Sequence, residues 1–144
     1  MRLSRLIYVT LRHFENRLFE LATAVMMVLI AMHLVIWPGA ISAGEFRHVM
    51  LPPAAALVGA YGIGGCLRVA ALIANGSWPV YGPLLRAGGA VAGSMIWAQM
   101  FASLLLVNVE IGNPPPLDIW VYLTLTAVEL IAMCRALVDH AGPG

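Results

Sequence analysis

The chain has 144 residues, 61% of them apolar and only 10% charged, with a formal net charge of +1. Eight basic residues, all arginine, and seven acids cannot provide the polar surface that a water-soluble core of this size requires, so a soluble globular domain is excluded. The apolar residues gather into long stretches with short polar connections, which leaves no room for a separate soluble catalytic domain. The expected fold class is an all-α membrane protein: four transmembrane helices preceded by an N-terminal amphipathic interfacial helix.

Residues 1–17 come first. Leu3, Leu6, Ile7, Leu11, Phe14 and Leu18 recur at helical spacing, while Arg5, Arg12, Glu15 and Asn16 fall mostly on other faces. A cationic amphipathic helix of this kind lies in the headgroup plane, and Arg2, Arg5, Arg12 and Arg17 are the expected lipid-surface contacts.

A four-span bundle is then expected over residues 18–138. Its first span covers about 18–37 and is stopped by Pro38-Gly39. The arginine-rich leader also suits a signal peptide, with Ile41-Ser42-Ala43 as a loose cleavage site. The apolar run is longer than the roughly 7–15 residues of a signal core, however, and we read an uncleaved span. The polar loop that follows holds Glu45, Arg47 and His48. The second span, about 51–74, opens at Pro52-Pro53, where missing amide donors cost nothing. Residues 75–83 are dense in turn formers and make a tight hairpin into the third span, about 84–107. Pro114-Pro115-Pro116 stiffens the next loop. Asp118 suits the positive end of the fourth span, about 117–138, and residues 139–144 form a short tail.

Counting arginines gives the expected orientation. With both termini cytoplasmic, Arg2, Arg5, Arg12, Arg17, Arg86 and Arg135 lie inside and Arg47 outside, a strong positive-inside bias. The expected location is the bacterial inner membrane, and the sequon Asn75-Gly76-Ser77 then falls on the cytoplasmic side. Trp37, Trp120 and Tyr122 would mark the outer interface, with Trp78 and Tyr81 at the inner one.

Glu20, Arg68 and Glu129 form an expected intramembrane charge cluster, all in the cytoplasmic half by helical rise. An ionised group at bilayer centre costs about 3 kcal/mol, so each must be paired or snorkelling. Arg68 has two candidate partners, Glu129 and Glu20. A proton or ion relay is one use of such a cluster; a packing-specifying ion pair is the plainer one, since only His33 continues toward the outer face. His33 reads as a hydrogen-bonded packing residue, because no second intramembrane histidine is placed to share a haem. Small four-span drug exporters, which use a glutamate in their first helix, invite comparison through Glu20. They insert with weak charge bias, unlike this chain.

Ala56, Ala60 and Gly64 recur every four residues and lead to Arg68, while Gly89 and Gly93 form a GxxxG one turn before Trp97. These residues, with Gln99, are the expected helix-packing set, as a seam between the second and third spans or as an oligomer contact. Cys66 and Cys134 read as small buried hydrophobes. No nucleophile–base pair, phosphate loop or metal spacing appears. Neither catalysis, a metal, a cofactor nor a nucleic-acid partner is expected; the partners are the lipid bilayer and either further copies or a membrane protein.

The stretch Leu67-Arg68-Val69-Ala70-Ala71-Leu72, then Asn75-Gly76-Ser77-Trp78, then Pro83-Leu84-Leu85-Arg86-Ala87 and Trp97-Ala98-Gln99 resembles small polytopic membrane proteins encoded by tailed phages and prophages. It departs from them where Pro79, Val80 and Tyr81 stand in place of basic residues. The resemblance implies a phage context and a four-span shape and transfers no site. Two functions follow as expectations: holin-like membrane permeabilisation or remodelling, or a structural or accessory subunit docking a virion component or larger envelope complex.

Overall fold

The computed structural model describes residues 17–42, 46, 48, 54–74 and 81–141. Within them lie four long helices and no strand: α1 (Leu18–Ile36), α2 (Ala54–Ala74), α3 (Tyr81–Glu110) and α4 (Ile119–Ala141), with a 3-10 turn over Pro38–Ser42. Each long helix is apolar enough to cross a membrane. The expected helix at the N-terminus, the Pro52-Pro53 opening and the hairpin residues 75–80 lie outside the described residues.

The bundle is coated with large apolar side chains. Phe19 is 70% exposed, Leu117 85% and Val138 71%. A surface of this kind is stable against lipid and not against water. The chain is a multi-pass membrane protein.

Spacing within the helices explains how they pack. Among the buried positions of α1, Glu20, Ala24, Met27, Ala31 and Leu34 alternate four and three residues apart, with Thr23 buried beside Ala24. α3 buries a wider stripe at the same three- and four-residue steps, through Pro83, Ala87, Ala90, Ser94, Trp97, Met100 and Leu104 with Arg86 and Gly93 beside them. This is the period of antiparallel helices crossing at a shallow angle. α1 lies against α2 and α3 against α4, with a narrower α2–α3 seam and little contact between α1 and α4. All neighbours run antiparallel, so one end of the bundle gathers the starts of α1 and α3 and the finishes of α2 and α4. We call it the near end.

α3 and α4 differ from the expected spans at both ends, finishing at Glu110 and Ala141 rather than at 107 and 138, so residues 139–141 belong to the helix and not to a tail. α3 begins at Tyr81 rather than 84, because Pro83 sits in the first turn, where its missing N–H has no intrahelical duty. α4 begins at Ile119, after the Val121 amide donates to the Asp118 carbonyl at 2.9 Å.

The small-residue stripe of α2 is also displaced. Its buried positions are Leu57, Tyr61, Gly65, Arg68, Ala71 and Leu72, whereas Ala56 and Ala60 are only half-buried. The close approach to α1 falls at Gly65: a Cβ there would stand 2.8 Å from the Ala24 carbonyl oxygen and 2.7 Å from Val28 Cγ2. At Gly64 it would stand 3.0 Å from Met27 Cε. The tightest seam is therefore α1–α2.

Polar side chains on the helices are mostly spent locally. Thr124 and Thr126 donate to the carbonyls of Trp120 and Tyr122, at 2.7 and 2.8 Å, and Asn108 donates to Leu104 at 2.8 Å. Ser94 and Thr23 donate to the carbonyls three residues back. Such back-bonding removes the penalty of a bare donor in hydrocarbon.

Candidate functional site

The functional side chains are the interior charges, and they form two sets. At the near end, Glu20 in the first turns of α1 faces Arg86 of α3 across the bundle. The Arg86 guanidinium donates from Nη2 to Glu20 Oε1 at 2.6 Å and from Nε to Glu20 Oε2 at 3.1 Å. Its Nη1 donates to Asp139 Oδ2 of α4 at 2.8 Å. This fork engages two carboxylates from two helices at once, a geometry that the planar guanidinium supplies and an ammonium does not. Arg86 and Glu20 are buried, and the Asp139 side chain is 48% exposed.

The second set lies deeper. Arg68 of α2 donates through Nη1 to Glu129 Oε1 of α4, with both side chains buried. Glu129 stands ten residues after Ile119 and twelve before Ala141. That places it roughly 15 Å and 18 Å from the two ends of α4, near mid-membrane.

Glycines of α3 make room for this pair. A Cβ at Gly93 would meet Arg68 Nη1 at 2.7 Å and Glu129 Oε1 at 2.9 Å, and one at Gly89 would meet Arg68 Cγ at 3.2 Å. The Gly89–Gly93 motif thus serves a side chain of α2 rather than a helix backbone. Glu20 is also within electrostatic reach of Arg68. From the near end inward the charges alternate: Asp139, Arg86, Glu20, Arg68, Glu129.

The expected cluster of Glu20, Arg68 and Glu129 is thereby divided. Arg68 takes Glu129, while Glu20 takes Arg86, which the sequence reading had placed at the membrane edge. A signal for Arg86 was available. It stands three or four residues before Ala90, Gly93 and Trp97 in succession, on the buried stripe, and Pro83 lets the helix start early enough to enclose it.

Beyond Glu129 the interior becomes apolar. Trp97 is fully buried, edge-on to Tyr61 with centroids 6.0 Å apart and stacked on Tyr122 at 6.2 Å. Met27, Ala31, Leu34, Leu57 and Met100 fill the space around them. Tyr122, expected to mark the outer interface, is partly buried and packs against this core in the first turn of α4. Trp37 and Trp120, 57% and 59% exposed, lie at the far end, with Tyr81 exposed at the near end. At the far end the His48 amide donates to Ser103 Oγ at 3.1 Å, and His48 Nε2 lies 3.1 Å from Glu110 Oε2, which ties the first loop to α3.

Four further side chains stand apart from their expected roles. His33 is exposed on α1 and leans on the Trp37 ring at 4.9 Å, so it is not a core histidine. Cys66 and Cys134 are exposed on the lipid-facing surface instead of buried. Gln99 is only half-buried. Of the expected lipid-contacting arginines, Arg17 is described, half-buried just before α1; Arg2, Arg5 and Arg12 lie outside the described residues.

Chemically, this arrangement can neutralise charge and fix helices relative to one another. Among the described residues no group of three or more His, Cys, Asp or Glu side chains converges to hold a metal ion. Comparison with protein-family models, with curated proteins and with solved structures gives no match.

Proposed function

We propose that this chain is a non-catalytic inner-membrane subunit of phage or prophage type, held in one shape by its interior ion pairs and docking a protein partner. Both termini face the cytoplasm in this reading. The observation that carries it is the compensation of buried charge within one chain: Arg86 is matched by Glu20 and Asp139, and Arg68 by Glu129. Removing one member of such a pair is strongly destabilising, which opposes rearrangement into an open pore. The aromatic layer of Tyr61, Trp97 and Tyr122 lies between the charges and the far end, which favours a scaffold over an ion path. The phage context is supported by the resemblance of residues 67–99.

Holin-like permeabilisation is the second reading, favoured by one feature. A lipid-facing groove of about 550 Å³ opens between α2 and α3, lined by Gly64, Ala70, Gly88 and Ala92 among others. Small residues of this kind allow a second helix to approach closely.

Membrane potential in bacteria during controlled expression, with and without a co-expressed endolysin, separates the two readings. The subunit reading predicts an unchanged potential and a membrane protein that co-purifies in fixed proportion. Sudden depolarisation followed by endolysin-dependent lysis would replace it with the holin reading.

A further inference from the structure

The sparse contact between α1 and α4 leaves a cleft at the near end, and its chemistry is specific. One lobe, of about 670 Å³, is lined by Arg17, Arg86, Arg135, Val138 and Asp139 toward the near end and by Leu130 and Ile131 deeper along α4. A smaller lobe of about 200 Å³ shares Arg17, Ile131 and Arg135 and adds Glu20. The charges can be counted. Arg17 and Arg86 are balanced by Glu20 and Asp139, which act on them electrostatically or through hydrogen bonds. Arg135 is the surplus: it is exposed and, among the described residues, makes no ion pair.

We infer that this cleft binds the monoanionic phosphodiester headgroup of a phospholipid, held between Arg135 and Arg17, with an acyl chain lying along Leu130 and Ile131. One negative charge balances the described charges lining the cleft, and the apolar wall below the arginines is what distinguishes a lipid from a free phosphate. The cleft opens sideways toward the bilayer at the depth of the near-end interface, where headgroups lie. Burial and the neighbouring Arg86 charge both lower the Arg17 pKa from its ordinary value, and an anion beside it opposes both effects. The inference does not depend on which protein partner the chain has.

The chain carries its own reporters. Cys134 lines the larger lobe and is exposed, whereas Cys66 is exposed on α2 away from it. The full-length protein in neutral detergent is titrated with dioleoyl phosphatidylglycerol, with dioleoyl phosphatidylcholine, or with inorganic phosphate. Lipid retention is read by native mass spectrometry, and alkylation of each cysteine by N-ethylmaleimide is followed over time.

The expected result is one phosphatidylglycerol retained about fivefold more strongly than phosphatidylcholine, the ratio that one basic residue near a membrane surface supplies. Slower alkylation of Cys134 and unchanged alkylation of Cys66 accompany it. Arg135→Gln, an exposed and unpaired position where folding is not at stake, abolishes the preference, and Arg135→Lys keeps it. Equal retention of the two lipids, protection of Cys66 to the same degree as Cys134, or indifference to Arg135→Gln would overturn the inference. Equal protection by inorganic phosphate would overturn the lipid assignment.

Discussion

Arg68→Ala destabilises the folded bundle by about 3–5 kcal/mol, because it leaves the Glu129 carboxylate fully buried with no counter-charge. Glu129→Ala has a similar cost through the stranded guanidinium. The double variant Arg68→Met/Glu129→Met recovers most of the loss, since two unbranched apolar side chains of comparable length replace both charges together. Detergent-unfolding titrations in mixed micelles, followed by tryptophan fluorescence, read all three. Trp97 lies one turn from Gly93 and reports directly on this region. Additive losses in the double variant would mean that Arg68 and Glu129 do not act as a pair.

Gly65→Ala separates α1 from α2. The added methyl carbon would stand 2.8 Å from the Ala24 carbonyl oxygen, a backbone atom that cannot swing aside, and 2.7 Å from Val28 Cγ2. Overpacking of this kind costs roughly 1–3 kcal/mol. Gly88→Ala is the matched control on α3, where a Cβ meets nothing within 4 Å. Replacing a glycine inside a helix at an open position is expected to gain roughly 0.5–1 kcal/mol. The two alanine variants should therefore shift the unfolding midpoint in opposite directions in the same titration. A Gly65→Ala variant as stable as the parent chain would place the α1–α2 contact elsewhere.

The features that were legible in the sequence are those that lipid makes expensive. Four spans follow from the lengths of the apolar runs, and Glu20, Arg68 and Glu129 stand out because a charge in such a run must be matched. What was not legible is which way each helix faces. In a soluble helix the polar residues mark the outside, but α2 is apolar apart from Arg68 and Tyr61, and periodicity carries no such mark. The small residues Ala56 and Ala60 looked like the seam, whereas Leu57, Tyr61 and Gly65 form it. The outward-facing Cys66 and Cys134 were misjudged for the same reason. Arg86 was hidden differently: the turn formers just before it suggested a membrane edge, while Pro83 in fact sits inside the first turn of α3. Tyr122 shows a related ambiguity, since an aromatic near a helix start suits either the interface or the core, and here its ring stacks on the buried Trp97.

The account rests on an up-down bundle whose charged end opens to one side of the membrane only. Single cysteines at Asn113, before α4, and at His140, in its last turn, both exposed, test this in a background where Cys66 and Cys134 are serine. A membrane-impermeant maleimide is added to intact spheroplasts and to inverted membrane vesicles. The expected result is labelling at 113 only from the outer face and at 140 only from the cytoplasmic face, with the ladder from Asp139 to Glu129 opening inward. Labelling of both positions from the same side would contradict a single crossing by α4 and with it the four-span bundle.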